Sequence, residues 1–439
     1  MVEMLMSEDT KLHMDVDEPI FSLIHNSTAP VCAIPDFEQL LQLTVQSGRL
    51  PAKLLIATND AIDMDLNGST LPVASILQSG DAATSVLKLI WTWQSPSVLS
   101  AIRIGMFGNQ SDVPTVVVTD TAGKLTFLKH RPEVEGDGQV TATELDTKSS
   151  CISSMALGNL AHQTQLDIAI GDASGAVALV LGGKQIFIRK DIGSSVTCLA
   201  IQSRPTQRPC VVAGDSFGAI TTFDFHDSVS TKIRLRDAVL PVLNTDVPAC
   251  HMIRCIHPVT LLDSEGVLSH YILACDGTPF LYYLVAGHCV ACVKLPSQIS
   301  CITSGQLLKV PQSTNTVSQA DTTKSQIAVG GTNGYIYLVD NLVVSMYANI
   351  DFPVTCIIPH RSPSFTPTEA DLLLCAGHCA NLFIFQDKQL LHRFKTSAWV
   401  WDMCSLDAKS QFAICTLDNL VQVIRFKADD DEEGELVDE

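Results

Sequence analysis

A chain of 439 residues with 46% hydrophobic and 17% charged residues is too apolar for a disordered protein and long enough for several domains or one large repeat architecture. Lys and Arg number 28 against 47 Asp and Glu, and a net charge of −19 without a basic stripe argues against direct nucleic-acid binding. The longest apolar stretch, Leu281 to Val293, holds 13 residues including His288, whereas a spanning helix needs roughly 20, so no membrane insertion is expected.

Residues 1–18 read as a flexible N-terminus. They carry Glu8 and Asp9 where a secretion signal would carry Lys or Arg. The 15 cysteines are scattered through apolar contexts, as small buried side chains are in a reducing compartment. The expected location is cytoplasmic, with nuclear or ciliary settings open. Ile20-Phe-Ser-Leu-Ile24 is an orphan strand pattern, and Phe37 to Thr44 is the one convincing amphipathic helix candidate.

From there a unit recurs: a short β-rich run, a polar connection, a near-continuous apolar run, a turn, then an alternating run. The first copy is Val31–Ile34 with Leu54–Ile62, followed by Ile102–Met106 with Thr115–Leu125. The clearest copies are Ile152–Leu157 with Leu166–Leu179, Val196–Ile201 with Cys210–Phe223, and Ile299–Thr303 with Ile327–Leu338. Weaker ones are Met252–Ile256 with Tyr271–Gly277, Val354–Ile358 with Leu372–Phe385, and Val400–Cys404 with Phe412–Val423.

The turn falls at Ala61, Gly123, Gly175, Gly218, Pro279, Gly334, Asn381 and Asn419, about 51 residues apart. Apolar runs before the turn suit strands buried on both faces, and alternating runs after it suit half-exposed ones. A small antiparallel sheet cannot bury its own faces, and radial stacking solves that. The pattern predicts an all-β fold: a single β-propeller of seven or eight four-stranded blades over residues 19–427. Ile20–Ile24 is expected to close the ring as the outer strand of the last blade. Polar stretches at about 131–150, 310–324 and 359–370 read as inserted, mobile loops, where Ser362-Pro and Thr366-Pro could be regulatory. Residues 428–439 hold eight acids in twelve positions and read as a disordered acidic tail.

Several motifs suggest chemistry. Gly214-Asp-Ser-Phe-Gly218 fits a nucleophile elbow, but the residues after it alternate as a strand where the elbow needs a helix. Asp63-Met-Asp-Leu-Asn-Gly68 opens like a calcium loop, yet Leu71 and Ala74 stand where further ligands are required. His288-Cys289-Val-Ala-Cys292 and Cys375-Ala-Gly-His378-Cys379 resemble metal clusters; on a strand, residues three apart point to opposite faces, so buried thiols are the better reading. Asp120, Asp172, Asp215 and Asp276 recur in one register, as turn-closing residues do and unique catalytic residues do not. Trp91 with Trp93, and Trp399 with Trp401, are each placed on one strand face. They read as packing between blades, with Trp399 and Trp401 as a candidate partner contact. No cofactor, metal or catalytic set is implied.

Ser153–Leu160 with Leu166–Val177, and the outer-strand pattern of Val86–Trp91, resemble FG-GAP-like propeller subunits. That group includes the integrin-alpha FG-GAP-repeat-containing and kaptin subunits of KICSTOR and the Bardet–Biedl propellers. The family's calcium loop is missing, which leaves WD40-type propellers as a rival, although their Gly-His and Trp-Asp pair is also absent apart from Trp401-Asp402. The resemblance implies a non-catalytic scaffold that binds other protein subunits of a cytoplasmic complex, in signalling or trafficking. The alternative is an enzyme or small-ligand binder using the central channel.

Overall fold

The computed structural model describes residues 87–107, 113–131, 140–161, 166–204, 207–226, 230–243, 252–262, 268–309 and 325–426. Twenty-eight strands form seven antiparallel sheets of four. Blade one is β2–β5 (Leu99–Gly105, Thr115–Asp120, Lys124–His130, Val140–Asp146) and blade two is β6–β9 (Ile152–Gly158, Asp167–Asp172, Ala176–Leu181, Gln185–Asp191). Blade three is β10–β13 (Val196–Arg204, Gln207–Asp215, Ala219–Phe223, Ser230–Arg234), and blade four is β14–β17 (Cys255–Leu262, Leu268–Cys275, Phe280–Val285, His288–Lys294). Blade five is β18–β21 (Ile299–Gly305, Gln326–Gly331, Tyr335–Asp340, Val343–Asn349) and blade six is β22–β25 (Val354–His360, Leu372–Gly377, Asn381–Gln386, Gln389–Lys395). Blade seven joins β26–β28 (Val400–Leu406, Gln411–Thr416, Leu420–Phe426) to β1 (Leu87–Gln94).

The closing strand is therefore Leu87–Gln94, paired with β28 from Leu87 opposite Phe426 to Gln94 opposite Leu420. Ile20–Ile24, expected in that place, lies outside the described residues, as do the unit around Ala61, the helix pattern Phe37–Thr44, the Asp63–Gly68 loop, residues 310–324 and the acidic tail. Within the stretch read as a loop over 131–150, residues 140–146 form β5, the outer strand of blade one. The 359–370 stretch is held in place: Arg361 donates from Nη1 to Asp371 at 2.5 Å and from Nη2 to the Thr366 carbonyl at 2.7 Å, and Gln306 Nε2 donates to the Pro367 carbonyl at 2.9 Å.

Second strands such as TVVVTD, LLLCAG and QFAICT are buried along their whole length, while outer strands such as QIFIRKD alternate. Seven apolar clusters result, one at each junction between neighbouring blades, so the core is a ring of interfaces. Trp91 and Trp93 pack into the junction of blades seven and one. The turn aspartates act as expected: Asp120, Asp172 and Asp215 each accept from two backbone N–H groups of their own turn at 2.8–3.0 Å. The turn position of blade six is Ala380, one residue before the expected Asn381, since its carbonyl accepts from Thr396 as Gly123 does from Thr147.

Among the described residues one α-helix occurs, α1 (Leu235–Leu243), which was not legible as such because Pro241 interrupts its pattern. It buries Leu235 and Val239, four residues apart, in the junction of blades three and four. No helix among the described residues is long and apolar enough to cross a membrane.

Candidate interaction site at the central channel

The first strands of all seven blades line one central cavity of about 630 Å³. Because every blade is an antiparallel meander, the connectors between blades and the turns between second and third strands lie at the same end of the ring. That mouth is lined by Met252, Thr332, Pro353, His378, Trp399 and Leu417. The same face exposes Val98, Phe217 and Phe352, with Phe217 at 67%. Exposed aromatic groups around a concave mouth are the usual makings of a protein contact.

Trp399 and Trp401 do not share a strand face. Trp399 belongs to the connector before β26, where its ring stacks on His378 at 4.9 Å and 13°. Trp401 is the extra residue of a bulge between Val400 and Asp402, which turns its side chain toward blade one. Its Nε1 donates to the Ser100 carbonyl at 3.0 Å. A bulge also overturns the facing expected for Cys289 and Cys292: Tyr283 pairs with Ala291 and Leu284 with Cys289, so Val290 is extra and both thiols reach the junction of blades three and four. Burial pushes the Cys289 thiol up and the Cys292 thiol up to about 12, so both are protonated, weak ligands. Gly214–Gly218 is a hairpin turn running into strand β12, without the helix an elbow requires.

Several of the channel's titratable groups are engaged within its wall. Arg103 Nη1 meets Asp402 Oδ2 at 2.8 Å, and the same oxygen accepts from the Ile102 N–H at 3.1 Å. Burial works against the Arg103 charge, but Asp402 more than offsets it and the guanidinium is held above its ordinary value. His257 is held by Ser304 Oγ at 2.7 Å from Nε2, and burial pushes its pKa down to about 4. Asp407 is exposed; despite partial desolvation, bonds from His360 and Ser405 hold its carboxyl below the usual range. Burial likewise lowers His378, so the mouth presents a neutral imidazole stacked on indole. Sequence reasoning missed Arg103 and His257, and singled out His378 only within a metal-like cluster; only an aligned repeat would have placed them on first strands or mouth turns.

No family model and no curated protein matches the chain. Solved structures do. The WD40 β-propeller domain of Doa1 is similar at 12% identity over 78% of this chain and 97% of that one, with a TM-score of 0.53. BBS1N in complex with ARL6DN is similar at 12% identity over 79% of this chain and 99% of that one. Its mercury-soaked and lead-soaked forms give TM-scores of 0.56 and 0.55. At such identity the likeness establishes the fold alone, a β-propeller, here of seven blades.

Proposed function

We propose that this protein is a non-catalytic interaction scaffold, a propeller subunit of a cytoplasmic multiprotein complex in signalling or trafficking, and that Trp399 contacts a partner protein at the connector-side mouth. The observation that carries this reading is that the end of the ring bearing the Trp399–His378 stack also exposes Val98, Phe217 and Phe352. Trp401, packed against blade one, belongs to the same site as a support for the mouth. BBS1N, a propeller of the same fold, was solved with a protein partner.

A small-ligand reading has the cavity's volume in its favour, which falls in the usual range for such pockets. Against it, Arg103, Asp402, His257 and Asp407 are spent on bonds within the wall. Affinity purification of the tagged chain from native extract, followed by mass spectrometry, tests the scaffold. A stoichiometric protein partner that is lost in Trp399→Asp is expected. Recovery of a bare monomer, or a partner indifferent to Trp399→Asp and Phe217→Asp together, would overturn it.

A further inference from the structure

Four consecutive blades place a cysteine at one register of their first strands: Cys198 on β10, Cys255 on β14, Cys301 on β18 and Cys356 on β22. All four line the central channel. Their partners across the ladder to the second strand are Gly214, Cys275, Gly330 and Ala376, in that order. Of the four, Cys255 alone has a second cysteine opposite it.

This register aims the thiol at the residue across the ladder. A Cβ built on Gly214 would stand 2.7 Å from Cys198 Sγ, and one built on Gly330 would stand 2.5 Å from Cys301 Sγ. In a disulfide each sulfur lies about 3 Å from the β-carbon of the other cysteine. Residues directly opposite in an antiparallel ladder are about 4.5–5.5 Å apart at Cα, inside the range of about 4.4–6.8 Å that a disulfide spans. In blade four the opposing residue carries both a Cβ and a sulfur, and the Cys255 and Cys275 thiols hydrogen-bond to each other.

The two thiols differ in access. Cys255 is half-buried on the channel wall, whereas Cys275 is fully buried in the junction of blades four and five. The bond to Cys255, and then burial, hold the Cys275 thiol well above its ordinary value, so Cys275 keeps its proton and donates it to the Cys255 sulfur. A small oxidant entering the channel therefore meets Cys255 first, with a second thiol already against its sulfur.

We propose that Cys255 and Cys275 form a reversible oxidation site, at which a hydroperoxide entering the channel converts the two thiols into a disulfide between β14 and β15. The Cys255 thiol gives up its proton and its sulfur attacks the peroxide. The O–O bond breaks, leaving a sulfenic acid on Cys255 and releasing water or an alcohol. The Cys275 sulfur then attacks the sulfenic sulfur; the S–S bond forms, the S–O bond breaks, and the hydroxyl leaves as water with the Cys275 proton. Two thiols lose two electrons and two protons, and the peroxide takes up both.

Peptide mapping of the full chain tests this. Folded protein is treated with graded hydrogen peroxide, the remaining thiols are capped with N-ethylmaleimide under denaturation, and the unreduced digest is read by mass spectrometry. Loss of both thiols and gain of a peptide cross-linked from Cys255 to Cys275 is expected at doses that leave Cys198, Cys301 and Cys356 as thiols. Dithiothreitol should restore both thiols. In Cys275→Ser, dimedone should trap a sulfenic acid at Cys255; in Cys255→Ser, Cys275 should stay a thiol at the same doses. The wild-type map decides the question even where a variant fails to fold. Oxidation of Cys198, Cys301 or Cys356 ahead of the pair would overturn the proposal. So would a disulfide from Cys255 to any other cysteine, or two intact thiols at doses that oxidise the exposed Met346.

Discussion

Arg103 of blade one and Asp402 of blade seven hold each other across the seam of the ring, Nη1 to Oδ2 at 2.8 Å, with Asp402 almost fully buried. The seam joins segments about 300 positions apart in sequence, so this pair, the β1–β28 ladder and the Trp401–Ser100 bond together close the propeller. Removing Asp402 leaves the Arg103 guanidinium, about a quarter exposed to the channel, without its carboxylate, and the Ile102 N–H without its acceptor. Asp402→Ala is expected to lower unfolding free energy by about 3 kcal/mol in urea titrations. Arg103→Ala/Asp402→Ala should cost less than the sum of its parts; full additivity would show that the pair is not coupled.

Gly171 and Val196 meet at the junction of blades two and three. A Cβ built on Gly171 would stand 2.4 Å from Val196 Cγ1 and 2.9 Å from its Cβ, with Leu199 close behind. Gly171 has no need of a left-handed backbone there; it is small because the next blade approaches so closely. Gly171→Ala should therefore destabilise by roughly 1–3 kcal/mol through overpacking. Val196→Ala, itself destabilising, should recover part of that loss when combined with it. Equal thermal midpoints for Gly171→Ala and wild type would rule the steric account out.

The repeat was legible because each blade needs the same three local signals: an apolar run, a tight turn and an alternating strand. Ring closure was not, although its strand was. Val86–Trp91 resembles the outer-strand pattern of FG-GAP-like propellers, but the blade it completes depends on pairing with residues 420–426, and no local pattern encodes that. The bulges were equally hidden. One extra residue reverses the facing of everything beyond it, so Cys289 with Cys292 and Trp399 with Trp401 were placed by a period the backbone does not keep. The aspartates of the turns, by contrast, were legible in role because their bonds are made within four residues.

His257 provides a pH handle on stability. Its folded pKa, pushed down to about 4 by burial, lies below the unfolded value near 6.5, so the unfolded chain binds the extra proton between these limits. Stability from this group is complete above about pH 6.5 and falls as the pH drops toward 4, by roughly 3 kcal/mol in all. His257→Gln should flatten the dependence of unfolding free energy on pH across that window, by up to one proton in slope. A variant whose pH profile ran parallel to wild type would show that the imidazole is not held neutral.

Trp399 and Trp401, two residues apart, should separate cleanly into contact and support. Trp401 is half-buried in the seam cluster and bonded to Ser100, so Trp401→Ala removes packing and leaves a carbonyl without its donor, at a cost of about 3 kcal/mol. Trp401→Phe, which keeps most of the packing, should cost about 1 kcal/mol. Trp399 sits on a connector and stacks on His378 at the rim of the channel, where replacement by Ala leaves every strand ladder intact. Trp399→Ala should shift the urea midpoint little while reducing partner recovery at least tenfold. The opposite assignment, with Trp399→Ala unfolding the ring and Trp401→Ala sparing it, would mean that the connector and not the seam carries the load at this junction.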